Sequence, residues 1–123
     1  MDYNRITEKI IGAAINVHKV LGPGMLESAY KHCLAYELKQ MGLEVKCEVP
    51  VPVIYREIKL DCGYRIDLLV EDTVVVELKS VETFHSTYEA QILSYLRFAN
   101  KHIGLLINFK TNVLKNGIKR YIL

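Results

Sequence analysis

The sequence predicts an α/β sandwich, a mixed β-sheet with flanking helices, in the order ααβββαββ. Three observations carry that expectation. Two stretches of helical apolar periodicity open the chain, β-rich segments with alternating polarity fill its middle, and a third helical stretch separates these from two further strands.

From Asn4 to Leu21, apolar residues at Ile6, Ile10, Ala13, Ala14, Val17 and Leu21 follow a helical period, and "GPG" at 22–24 ends the helix. This "GPG" lacks the G-K-[ST] of a phosphate-binding loop and reads as a turn. Residues 25–41 repeat the pattern with Leu26, Ala29, Tyr30, Cys33, Leu34 and Leu38, stopping at Gly42, a residue suited to a helix C-terminus. Strands follow at 44–56, 64–70 and 74–80. Pro50 and Pro52 suit an edge strand or bulge, since proline has no N–H to donate to a ladder. A helix over 87–99 and strands near 103–109 and 117–122 complete the order.

With 123 residues, 50% hydrophobic and 24% charged, the chain is sized for one domain spanning 1–123 and one site upon it. Its net charge of +2 is too small to announce a nucleic-acid binder by overall field, so any such interface is a local patch. The basic cluster Lys110, Lys115, Lys119 and Arg120 either steers a phosphate backbone or solubilises an edge. No apolar run approaches the roughly 20 residues of a membrane span, and "MDYNRITEKI" is too polar for a secretory signal, so the expected location is cytoplasmic, without membrane association. Cys33, Cys47 and Cys62 show no C-x-x-C pair and read as reduced, buried thiols.

The two middle strands allow a sharper argument. In "YRIDLLV", Ile66, Leu68 and Val70 share a face, and in "VVVELKS", Val74, Val76 and Leu78 share a face. A hairpin through Glu71, Asp72 and Thr73 that puts both sets on the core side sets Val70 opposite Val74, Asp67 opposite Glu77 and Arg65 opposite Lys79. Two carboxylates facing each other across neighbouring strands repel unless a proton or cation intervenes. The bland reading is a wetted polar face. Against it, the three-valine run implies that Val75 on that same face is covered. A covered carboxylate pair beside a lysine suits a divalent cation such as Mg²⁺ or Mn²⁺.

"RID" at 65–67, nine intervening residues, and "ELK" at 77–79 resemble the D…(D/E)-x-K signature of the PD-(D/E)XK nuclease superfamily, whose proline is absent here. "GMLESAY" at 24–30 reads G-x-x-E-x-x-Y and, with "LGPG" before it and "EAQILSYL" and "GLLINF" after the ELK, resembles the GxxExxY family of that superfamily. The similarity runs from about Ile10 to Ile122. It implies a restriction-endonuclease-like three-layer fold and a magnesium-dependent nuclease hydrolysing phosphodiester bonds by metal-activated water, with nucleic acid, DNA favoured, as partner. The alternative is a non-catalytic nucleic-acid-binding or regulatory module that retains the fold. The resemblance assigns Asp67, Glu77 and Glu27 as metal ligands, Leu78 as a backbone-carbonyl ligand, and Lys79 as the group that orients or activates the water. Gln91 and Tyr95 match a Q-x-x-x-Y element, and they join Tyr30 and Arg65 as substrate-contacting residues. DNA against RNA, endo- against exonuclease action, and a homodimer or protein partner stay open.

Overall fold

The computed structural model describes residues 2–123. Helix α1, Tyr3–Leu21, is capped by Asp2, whose carboxylate accepts from Asn4 N at 3.0 Å, and its buried stripe is the predicted one, Ile6, Ile10, Ala13, Ala14 and Val17. It ends at Gly22, where φ is 73° and the N–H donates to His18 O. This left-handed turn is where the first glycine of "GPG" is needed. Helix α2, Glu27–Gln40, buries Tyr30, Leu34, Ala35 and Leu38.

The main sheet has five strands: β1 (Val45–Pro50), β4 (Arg65–Val70), β5 (Val74–Lys79), β6 (Ile103–Asn108) and β7 (Ile118–Ile122). Their spatial order is β1-β4-β5-β6-β7, with β5 and β6 parallel and every other pair antiparallel. Helix α3, Ser86–Ala99, makes the crossover between the parallel strands. β1 lies at the edge with Pro50 as its last residue, where a missing N–H does least harm.

Two cores sandwich the sheet, which gives the expected three layers. One joins α1 and α2 to Leu68, Val70, Val74, Val76, Leu78, Leu105 and Ile107; the other joins Ile92, Tyr95 and Leu96 of α3 to Leu69, Val75 and Leu106. Val75 is fully buried, as the three-valine run implied. Each such side chain contributes about 1.5–3 kcal/mol relative to exposure. Gly104 lets α3 lie close to β6, because a Cβ there would meet Ile92 Cδ1 at 2.9 Å.

Four details depart from the sequence reading. The strand over 44–56 is broken: after β1, Val53–Tyr55 (β2) pairs only with Ile58–Leu60 (β3), an unanticipated strand, in a separate two-stranded hairpin. No Gly or Asn marks its turn, which Arg56 makes with φ 53°. Ile66 packs in the α3 core and not with Leu68, because β4 breaks its regular pairing at the intervening Asp67. A short 3-10 turn, Leu114–Gly117, precedes β7. The thiols are free, but only Cys33 is half-buried; Cys47 and Cys62 are exposed because β1 and the segment before β4 lie at the sheet's open margin.

Candidate active site

The β4–β5 hairpin has the expected register, Val70 opposite Val74, Leu69 opposite Val75 and Leu68 opposite Val76, and turns through left-handed Glu71 and Asp72. The next pair in that register is Asp67 with Glu77. There the ladder gives way to side chains: Asp67 N donates to Glu77 Oε2 at 2.7 Å, and Leu78 N donates to Asp67 Oδ2 at 2.8 Å. β5 nonetheless stays paired with β6 through Glu77–Leu106, Leu78–Ile107 and Lys79–Asn108. It is therefore β4 that departs, and the carboxylates fill the opening. On the other side of β4 the pairing with β1 also skips one position, between Glu48 and Asp67, where Glu48 adopts φ 54°.

The electrostatics of this opening are unbalanced. Glu77 is 4% exposed. Burial first, and the neighbouring Asp67 charge second, push its pKa up to about 8 against the opposing Asp67 N–H and Lys79. Asp67 is also raised, chiefly by burial and further by Glu48, while the Leu78 N–H, Lys31 and Lys79 pull it down. No ion pair within 4 Å joins either carboxylate to a cation among the described residues. Asp67 Oδ1 and Glu77 Oε1 accept no protein hydrogen bond among the described residues, and neither is sealed from solvent. Lys79 lies two positions from Glu77 on the same strand, with its Nζ 4.7 Å from the centroid of the Tyr88 ring.

These donors fit a hard divalent cation, which takes carboxylate oxygen and offsets like-charge repulsion. The described residues bring no group of three or more His, Cys, Asp or Glu side chains together around one position. Two protein carboxylates with water and substrate completing the shell is the pattern Mg²⁺ commonly adopts.

Glu27 does not join the pair. It sits in the first turn of α2, and its Oε2 accepts from Ser80 N at 3.2 Å, while Ser80 Oγ donates to Met25 O at 3.1 Å. Tyr30 is wholly buried: its ring stacks on Phe109 with centroids 4.2 Å apart, its hydroxyl donates to Gly22 O, and Met25 N donates to that hydroxyl. It offers no surface to substrate and pins the α1–α2 turn instead. The glutamate and tyrosine of "GMLESAY" thus form, with Gly22 and Met25, a corner that ties the helix pair to the residue after Lys79. Arg65 turns away as well, its Nη1 3.2 Å from Asp61 Oδ1 and donating to Tyr64 O. It is not opposite Lys79, since the strands have already separated. Leu78 directs its side chain into the α1–α2 core.

Tyr95 does lie beside the opening. Tyr95 is pushed up to about 12, by burial and then by the charges of Glu77 and Asp67, and it lines one groove with Gln91. Three contributors escaped the sequence reading. Glu48, which pairs with Lys31 of α2 one turn beyond Glu27, brings a third carboxylate to act on both members of the pair, while Lys31 acts on Asp67. Nothing in "KCEVP" signals this, since it depends on a left-handed residue in an edge strand. Buried Asn108 exchanges hydrogen bonds with Val81 N and O at 3.1 and 2.9 Å, fixing the chain just past β5. A polar residue ending "GLLIN" was the available signal. Tyr88 was within reach, being in the first turn of α3, the helix that follows Lys79 in the chain.

No curated protein and no solved structure matches the chain. A family model does, over residues 4–121, which include both strands of the opening, the Glu27–Tyr30 corner and the crossover helix. The chain belongs to the PD-(D/E)XK nuclease superfamily, with its restriction-endonuclease-like fold.

Proposed function

We propose that this chain is a divalent-metal-dependent nuclease, with Mg²⁺ or Mn²⁺ as cofactor and nucleic acid, DNA foremost, as substrate. The observation that carries the reading is the pairing of buried Glu77 with half-buried Asp67, each residue presenting one carboxylate oxygen that no protein donor claims. Asp67 and Glu77 hold the ion, with the Leu78 carbonyl as a further ligand. When bound, the ion supplies a water of lowered pKa and offsets negative charge on the phosphate. Lys79, its ammonium seated over the Tyr88 ring, orients that water or a phosphate oxygen. Glu27 works through Ser80, fixing the backbone directly after Lys79. Gln91 and Tyr95 meet the substrate strand.

The competing reading is a nucleic-acid-binding module that keeps the fold without catalysis; it is favoured by Glu27 being bonded to Ser80 instead of completing a three-carboxylate shell. Incubation with linear, circular, single-stranded and branched DNA and RNA in Mg²⁺, Mn²⁺ or EDTA decides between them. Cleavage that requires the metal and is lost in Asp67→Ala is the expected result. Binding without cleavage in either metal selects the module.

A further inference from the structure

One face of α3 is mixed in character: Gln91, Ser94, Tyr95 and Phe98 fall at helical spacing and turn toward Val51 and Tyr64, which stand at the ends of β1 and the loop before β4. Between them lies a cavity of about 380 Å³, within the range of small-ligand sites. Its walls are mainly aromatic and apolar, interrupted by Thr87, Gln91 and Ser94. Gln91 and Ser94 have side chains with no hydrogen-bond partner among the described residues, so their donors and acceptors are free to meet a ligand edge. Tyr64 is positioned: Val51 N donates to its carbonyl at 2.9 Å, and its ring meets Tyr95 edge-on with centroids 6.0 Å apart. It is still 44% exposed, leaving aromatic surface open.

The cavity shares a wall with the carboxylates. Tyr95 lines it and feels the charges of Glu77 and Asp67. Tyr64 is three residues before Asp67, roughly 10 Å along an extended chain. A ligand bound here is thus adjacent to the phosphodiester that the pair would address.

We propose that this groove is a pocket for one unpaired nucleobase of the substrate strand, so that single-stranded or frayed nucleic acid is preferred over intact duplex. The identity of the ligand rests on the nuclease reading above. A nucleobase has apolar faces that stack on aromatic rings and a polar edge that an amide and a hydroxyl can read, which is the combination the walls present. A base inside a duplex has its faces stacked and its pairing edge occupied, and would first have to be extruded at a free-energy cost.

The test is fluorescence of 2-aminopurine placed in single-stranded DNA, single-stranded RNA and blunt duplex DNA, titrated with the full chain in Ca²⁺. The wild type is expected to change the signal of single strands and leave the blunt duplex unaffected, the DNA and RNA arms showing which sugar is accepted. Tyr64→Ala is expected to weaken single-strand binding about 10-fold through lost stacking, and Ser94→Trp, which fills the cavity, to do the same. An unchanged wild-type signal, equal signals from single strand and duplex, or folded variants that bind like wild type would overturn the pocket. If Ser94→Trp does not fold, the exposed Tyr64→Ala decides alone. Cleavage in Mg²⁺ or Mn²⁺ is scored separately: single-strand binding without cleavage supports the pocket and sinks the nuclease reading, whereas cleavage without the fluorescence change sinks the pocket alone.

Discussion

Two polar regions meet at the C-terminal end of β5, and they differ in how their charges are met. In the corner, Glu27 accepts from Ser80 N, Ser80 Oγ donates to Met25 O, and the Tyr30 hydroxyl bonds both Gly22 and Met25. There the buried Tyr30 hydroxyl both donates and accepts, and Glu27, exposed on its helix, leaves its second oxygen to water. In the opening, Asp67 and Glu77 each give one oxygen to the opposite strand and keep one unanswered, with burial holding both pKa values up. A satisfied network stabilises a fold; like charges brought together with one of them buried cost stability, and a chain that retains such a cost is the better candidate for chemistry. On this view the corner positions and the opening reacts.

The largest effect should come from breaking the corner. Tyr30→Ala removes a fully buried ring stacked on Phe109 and is expected to cost about 3–5 kcal/mol, while Tyr30→Phe, which leaves Gly22 O and Met25 N without their partner, costs about 1–3 kcal/mol. Denaturant unfolding measures both. A Tyr30→Ala protein as stable as wild type would mean that the corner does not hold the helix pair to the sheet.

The opening should respond in activity and leave the fold intact. Lys79→Ala is expected to lower hydrolysis of a labelled oligonucleotide about 100-fold or more, yet to keep or raise Mn²⁺ affinity, because it removes a positive charge that acts on both carboxylates. Glu77→Ala should lose metal and activity together. Lys79→Arg should stay impaired, since a planar guanidinium does not reproduce a compact ammonium over the Tyr88 ring. Wild-type turnover by Lys79→Ala would remove Lys79 from the reaction.

A smaller effect sharpens the contrast by pH. Glu77 titrates near its ordinary value of 4.5 in the unfolded chain and near 8 in the metal-free fold. Between those values the folded state retains a proton that the unfolded state has lost, so stability falls as pH rises through that window. Glu77→Gln, which cannot ionise, should have a flatter Tm profile in EDTA across roughly pH 5 to 8 and lie above wild type at the alkaline end. Parallel profiles would show that the pair carries no such cost.

The hairpin register was legible because alternation along a strand leaves only one phase that buries both apolar sets. Asp67 and Glu77 came together for the same reason. Glu27 and Tyr30 were legible as partners on one helix face, but spacing alone does not reveal how far the helix stands from the carboxylates, and so the glutamate is found at Ser80. Arg65 and Ile66 were misplaced because regular alternation was carried past the point where β4 leaves β5. Glu48 and the β2–β3 hairpin were invisible for a shared reason: each turns on a non-glycine residue at positive φ, a conformation that local propensity argues against.

The exchange of backbone for side-chain partners at Asp67 and Leu78 couples the chemistry of the opening to the integrity of the sheet. Two main-chain amides that an ordinary ladder would tie to carbonyls are tied instead to groups that can gain a proton, meet an ion or swing toward a phosphate. Whatever draws an oxygen of Glu77 away loosens β4 at Asp67, while β5 stays clamped to β6. The opening thus has one side held by an unbroken ladder and one whose amide depends on a group that titrates.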